Sequence, residues 1–224
     1  MSNNGFQIKK YFNRPKKYLI DEFRKLPAAN IGDVMNRQFC LSNKIKPLNE
    51  LKLTGPAFTV NLRSGDNLLF YKAIEMASPG DIIVVNGQGG EKNALMGELM
   101  LRWAIKKDIA GIIINGMIRD LGFIQQSSIP VFALGATPAG PFKDGPGEIN
   151  FPISIDGVVI SPGDMIVADL DGAVVIRQSD LESVLEKTKL ITEKEENIKT
   201  QIENDEWDMS WVDEKLLEKN CIYL

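Results

Sequence analysis

Between about Gly55 and Arg177 the chain is a succession of short β-branched and aliphatic runs set off by Gly and Pro, and this pattern limits the fold more than any other feature. The runs are Ala57–Leu62, Asp81–Val85, Ala110–Ile114, Val131–Leu134, Val158–Ile160, Met165–Asp169 and Ala173–Ile176. Each has the length and composition of a strand. Helical periodicity interrupts the early runs at Leu68–Ala77 and Asn93–Lys107. The late runs are joined by the turn signals Asp156-Gly157, Pro162-Gly163-Asp164 and Asp171-Gly172. Strands alternating with helices, then strands close together, imply an α/β domain with a mixed sheet. Segment 135–151, GATPAGPFKDGPGEINF, reads as a long Gly/Pro loop of the kind that carries function.

Two short helical patterns precede this region, Tyr18–Leu26 and Ile31–Phe39, the second with Asn30 as its expected cap. Residues 1–15 read as a polar arm, 16–178 as the α/β domain, and 179–224 as a helix with a tail. Ser179 and Glu182 form a capping-box pattern at the start of that helix. Its apolar stripe runs Leu181, Leu185, Thr188, Ile191, Ile198 and Ile202, in helical steps. In the gap between Ile191 and Ile198 the stripe position is Glu195. A carboxylate there either sits at the edge of the stripe or requires a partner. Trp207, Trp211, Leu216 and Leu217 in the tail are expected to dock on a body.

The chain of 224 residues has no histidine, which removes Ser-His-Asp and Cys-His catalysis and every His-ligated metal. Its two cysteines, Cys40 and Cys221, form no metal or disulfide pattern and suit a reducing cytoplasm. A net charge of −4 argues against a dedicated nucleic-acid binder. The N-terminal lysines precede no apolar core, so no secretory signal is read, and no aliphatic run is long enough to span a membrane. Catalysis would have to rest on carboxylates, Arg, Lys, hydroxyls, backbone amides, or a hard ion held by oxygen.

Segment 86–120, NGQGGEKNALMGELMLRWAIKKDIAGIIINGMIRD, is the richest candidate. It reads as strand, Gly-rich loop, helix, strand, then a turn at Asn115-Gly116. Ligands of such units bind at strand carboxyl ends and helix N-termini. Gly87-Gln88-Gly89-Gly90 is neither a Walker loop nor a dinucleotide fingerprint, and reads as a tight turn. Gly97, beside Glu98, lets a neighbour approach the backbone closely. Arg119-Asp120 would join that helix start if the two strands were parallel neighbours; on spacing alone the pair reads equally as a surface salt bridge. Asp66-Asn67 is expected to cap the helix after it, and Arg102 to lie on a solvated face.

The runs GDNLLFYKAIEMASPGDIIVVNG, MGELMLRWAIKKDIAGIIINGMIRD and SPGDMIVADLDGAVVI resemble the RraA-like family over roughly Ile31 to Ile202. That family includes 4-hydroxy-4-methyl-2-oxoglutarate (HMG) aldolases and regulators of ribonuclease E activity. The C-terminal extension resembles the aldolase branch. The resemblance implies a single domain of layered β/β/α, swivelling-domain-like architecture, with N-terminal helices and a long C-terminal helix. It implies Asp120 as direct ligand of Mg²⁺ or Mn²⁺, and Arg119 as the contact to the pyruvate unit. Glu98 would hold water of the ion's shell, and the amides of Leu99 and Met100 would cradle the pyruvate carboxylate. A Glu on the C-terminal helix, Glu195 or alternatively Glu193 or Glu196, would reach a neighbouring subunit's site in a homotrimer or a dimer of trimers.

The chemistry is self-consistent. A 2-oxo acid chelates a hard ion, and both aldol cleavage and oxaloacetate decarboxylation leave a pyruvate enolate whose charge an ion and Arg119 would stabilise. The alternative is a non-catalytic, protein-binding regulator of the ribonuclease E type. A Schiff-base aldolase is disfavoured, because no lysine lies in an evidently apolar pocket.

Overall fold

The computed structural model describes residues 4–224. Its elements are β1 (Phe6–Ile8), α1 (Lys17–Phe23), α2 (Ala28–Val34), β2 (Lys46–Pro47), β3 (Leu53–Leu62), α3 (Leu68–Met76), β4 (Ile82–Met96), α4 (Glu98–Lys106), β5 (Gly111–Ile118) and α5 (Leu121–Gln125). They continue with β6 (Val131–Ala136), β7 (Gly147–Ile149), β8 (Ile153–Ile155), β9 (Val158–Ile160), β10 (Met165–Asp169), β11 (Gly172–Ile176), α6 (Leu181–Glu203) and α7 (Ser210–Glu218).

β3, β4, β5 and β6 lie side by side and parallel. β7 runs antiparallel on the outer side of β3, and β2 antiparallel on β6. β3 is long enough to serve two sheets: Leu53–Pro56 pairs with β10, while Ala57–Asn61 pairs with β4. Side-chain alternation then separates two cores. Phe58, Ile83, Val85, Ile112 and Ile114 pack under α3 and α4. Ala57, Ile82, Val84, Ile113 and Phe132 pack against the β8–β9 hairpin and the β10–β11 pair. A third core joins the far side of β10 and β11 to α1, α2 and the start of α6. The mixed α/β fold is therefore layered helix, sheet, sheet, helix.

Several local expectations give way to tertiary structure. β4 does not end at Val85 but runs through the Gly-rich segment to Met96, paired with β5 across register shifts. A Cβ on Gly87 would lie 2.3 Å from Leu95 Cδ1, and one on Gly116 2.8 Å from the same atom. These glycines admit a buried leucine rather than form turns, and Asn115-Gly116 lies inside β5. α2 begins after Pro27, so Asn30 is within the helix and is not its cap. The capping box at Ser179 does not form: a 3-10 turn covers Gln178–Asp180, and Ser179 Oγ donates to Asp180.

The stripe of α6 is buried only over its first half, at Leu181, Val184, Leu185 and Thr188. Ile191 and Ile198 are half-buried and Ile202 is exposed. α7 buries none of its residues, and Trp207 and Trp211 of the tail line a cavity with Ile198 and Gln201 of α6. Glu22 of α1 accepts hydrogen bonds from Lys189 of α6 and from Lys25, and these two ammonium groups hold its carboxyl down at about 2.

The segment read as a polar arm is tied to the sheet where it is described; its first three residues lie outside the described ones. β1 pairs with β7, and Phe12 meets Phe58 edge-on at 5.9 Å. Arg14 gives two 2.7 Å hydrogen bonds to Asp81, which is fully buried at the start of β4. Arg14→Met should lower the unfolding free energy in urea by about 2 kcal/mol. That is less than a pair buried on both sides would lose, because Asp81 keeps the Ser78 N–H. An unchanged midpoint would show that the arm contributes nothing to the fold.

Candidate active site

The parallel pairing of β4 and β5 brings their carboxyl ends together, with Met96 opposite Ile118. The next residues are Gly97, which starts α4, and Arg119-Asp120, which starts α5. Asp120 takes a left-handed conformation (φ 59°, ψ 42°), which turns the chain sharply into α5. Its Oδ2 accepts a 2.9 Å hydrogen bond from Glu98 N–H. A Cβ on Gly97 would lie 2.4 Å from that same oxygen and 3.0 Å from Arg119 Cγ and Nε. Gly97 is thus the gap through which the Arg-Asp pair reaches the start of α4. The expected close approach is present, and what approaches is the Arg-Asp pair.

Arg119 Nε stands 3.7 Å from Asp120 Oδ2, and both side chains are about half exposed. Arg119 lines two cavities. One, of about 190 Å³, also has Asn67, Tyr71, Leu99, Met100 and Lys143 in its wall. The other is bounded by Asp120, Ala136, Thr137 and Pro138. The first-turn amides of α4 have no intrahelical acceptor, so the N–H groups of Leu99 and Met100 are open to an anion beside Arg119. Glu98 is engaged by Arg102, whose Nε lies 2.7 Å from Glu98 Oε1. Arg102 is therefore not simply solvated.

Two of the wall residues, Tyr71 and Lys143, were not singled out from the sequence, and Asn67 was read there only as part of a cap. Lys143, the sole lysine of segment 135–151, lies with Nζ 5.5 Å from the centre of the Tyr71 ring. Its backbone is fixed on both sides: Phe142 N–H donates to Gly65 O, and Asp144 N–H to the buried carboxylate of Asp66. Asp66 also accepts from Leu68 N–H, as expected of a cap for α3, and from Gly145 N–H. Asn67 donates to Leu95 O, and its Oδ1 is buried without a protein donor. The only sequence signal for Lys143 was its place in a long Gly/Pro loop.

Glu195 is not part of this assembly within one chain. It is half-buried on α6, and its Oε2 accepts a 2.6 Å hydrogen bond from Asn30 Nδ2. Asn30 thus supplies the partner that the stripe position requires. Glu193 and Glu196 are exposed, and Glu196 pairs with Lys199. No helix among the described residues is long and apolar enough to cross a membrane.

The fold and site together define an α/β protein with a carboxylate, a guanidinium and a free helix N-terminus gathered at the carboxyl ends of two parallel strands. The chain belongs to the RraA-like family, described as Aldolase/RraA, whose pattern it matches over residues 28–175. It is 44% identical over 171 residues to a Halalkalibacterium halodurans protein whose name provisionally assigns it as an HMG aldolase; the match covers 76% of this chain and 81% of that one. An HMG aldolase of Thermus thermophilus is 35% identical over half of this chain and 68% of its own. Among solved structures, Streptomyces coelicolor RraAS2, described as an unusual member of the RNase ES inhibitor RraA family, superposes with a TM-score of 0.75 at 27% identity, covering 83% of this chain and 98% of that one.

Gly97→Ala should separate site from fold. The added methyl must push Asp120 and Arg119 aside, and a displacement near 1 Å typically costs about 100-fold in rate. The rate of any reaction that the Arg-Asp pair serves should fall by that order, with little change in melting temperature. Wild-type turnover in Gly97→Ala would mean that the Arg-Asp pair does not act from this position.

Proposed function

We propose that this chain is a divalent-ion-dependent, class II pyruvate lyase. It cleaves 2-oxo acids of the 4-hydroxy-4-methyl-2-oxoglutarate type and decarboxylates oxaloacetate. The observation that carries the reading is that Arg119 lines two cavities, one walled by Leu99 and Met100 at the start of α4 and the other by Asp120, whose carboxylate is hydrogen-bonded to Glu98 N–H. The names of the relatives in two bacteria point the same way.

The donor chemistry fits a hard ion. Glu98 N–H occupies Oδ2 of Asp120, which leaves Oδ1 for a ligand. No cluster of three or more His, Cys, Asp or Glu suited to a metal occurs among the described residues. A single carboxylate suits Mg²⁺ or Mn²⁺, which keep several waters, better than an ion that demands a full protein cage. Asp120 would hold the ion, and the ion when bound supplies Lewis-acid stabilisation of enolate charge.

The chain's own residues divide the remaining work. The amides of Leu99 and Met100 bind the C1 carboxylate at the positive end of α4. The Arg119 guanidinium lies where negative charge develops on the C2 oxygen. Glu98 orients the water that takes the proton of the C4 hydroxyl. The C3–C4 bond then breaks, its electron pair stays on the pyruvate enolate, C4 becomes a carbonyl, and C3 is protonated. With HMG both products are pyruvate. Lys143 offers a second cation to the carboxylate on C4, which suits a doubly charged substrate. In oxaloacetate the group lost from C3 is CO₂, and no hydroxyl proton needs removal.

Asp120→Ala should abolish ion-dependent pyruvate release and ion binding by calorimetry. Arg119→Ala should keep ion binding and lose about 10²–10³ in kcat. Arg119→Lys should rescue poorly, since a point charge replaces a planar fork. Equal loss of ion affinity in both alanine variants would refute the separate roles. A wild-type protein that releases no pyruvate from oxaloacetate or HMG with Mg²⁺ present would leave the regulator reading.

The site is shared in a ring, a homotrimer or a dimer of trimers, in this reading. Large apolar side chains stand exposed on α4, where Leu99 in the cavity wall is 77% and Trp103 one turn later 51% exposed, and on the tail, where Trp211 is 56% exposed. A head-to-tail contact would cover both surfaces and bring Glu195 of one subunit toward the site of the next. Mixing Asp120→Ala and Glu195→Ala chains after reversible dissociation should restore part of the activity. Failure to recover despite confirmed exchange, or a monomeric active enzyme by light scattering, would refute the shared site.

A further inference from the structure

Glu98 carries a carboxylate on three rotatable bonds at the edge of the site, yet the structure fixes it. Arg102, one turn later on α4, places Nε 2.7 Å from Glu98 Oε1. The Arg102 side chain is more than half exposed, yet its guanidinium has a second contact: Cζ lies 4.3 Å from the centre of the Phe123 ring on α5. Phe123 belongs to the helix that Asp120 begins, and its N–H donates to Asp120 O at 3.0 Å. The contacts form a closed circuit. Asp120 Oδ2 takes Glu98 N–H, the Glu98 side chain takes Arg102, Arg102 rests on Phe123, and Phe123 returns to Asp120.

We propose that Arg102 is a positioning residue for Glu98. It holds Oε1 through Nε while the ring of Phe123 sets the plane of the guanidinium, so that Oε2 is presented in one orientation to the water that accepts the C4 hydroxyl proton. This rests on the lyase reading given above and assigns a role within that site. An exposed pair one turn apart on a helix contributes little to stability, so a stability role does not account for the circuit. A planar fork stacked on a ring sets direction, which an ammonium does not do.

The role separates the two reactions. Aldol cleavage must remove a hydroxyl proton, whereas decarboxylation of oxaloacetate does not. The test compares Arg102→Met, Arg102→Lys and Phe123→Leu in the full chain with Mn²⁺. Steady-state kinetics are measured on HMG and on oxaloacetate, and the Mn²⁺ Kd by calorimetry. Arg102→Met should lower kcat for HMG by about 10- to 100-fold, a fraction of what proton transfer to a positioned group contributes. KM for HMG, kcat for oxaloacetate and the Mn²⁺ Kd should each stay within about threefold of wild type, as expected when only a step made in the transition state is affected. Arg102→Lys and Phe123→Leu should fall between wild type and Arg102→Met on HMG alone. The proposal is overturned if HMG and oxaloacetate rates fall together, if the Mn²⁺ Kd moves with them, or if Arg102→Met matches wild type on both substrates. A wild-type chain inactive on both would overturn the lyase reading and this role with it; an active wild type with unselective variants would overturn this role alone.

Discussion

The hydrogen bond from Glu98 N–H to Asp120 Oδ2 is the joint on which the site depends. It ties the start of α4 to the turn after β5, across a position where only glycine leaves room. Everything beneath serves that joint. The parallel pairing of β4 and β5 sets the register, and Leu95 fills the space left by Gly87 and Gly116. Asp120 can occupy its left-handed conformation because the flanking β5 and α5 hold the chain on both sides. The outcome is a carboxylate with one oxygen committed to the backbone, next to a guanidinium and two open amides.

The wall of the cavity that carries Lys143 hangs from another carboxylate, this one buried. Asp66 accepts N–H groups from Leu68, Asp144 and Gly145, and so pins the Gly/Pro loop to the start of α3. A buried carboxylate with three backbone donors is well satisfied, and it orders a segment with few apolar anchors of its own. Lys143 is carried by that ordering. The two walls therefore have different origins: one is a strand–helix joint, the other a loop fixed by a side chain from elsewhere in the chain.

Much of this was legible in the sequence where local rules act alone. The short β-branched and aliphatic runs marked the central strands, and α3, α4 and α6 followed from periodicity. Gly97-Glu98 and Arg119-Asp120 stood out as a close-approach glycine and a charged pair at strand ends, and the resemblance assigned them roles. What escaped depends on contacts distant in sequence. The glycines of segment 87–90 read as a turn, because Leu95 is not adjacent to them in any local pattern. Lys143 had no mark beyond its loop, since Asp66, which places it, precedes it by more than seventy residues. Asn30, expected as a cap, instead meets Glu195 across the α2–α6 contact. The outer half of α6 shows the same limit from the other side: its stripe is a helix signal, yet Ile191 and Ile198 are only half-buried and Ile202 is exposed.

A crystal structure of the protein with pyruvate and Mn²⁺ tests the central claim most directly, with the ion located by its anomalous signal. The account predicts the ion on Asp120 Oδ1, the pyruvate carboxylate on the amides of Leu99 and Met100, and the Arg119 guanidinium at the keto oxygen. An ion bound elsewhere, or pyruvate lying away from the start of α4 in crystals that contain both ligands, would contradict it.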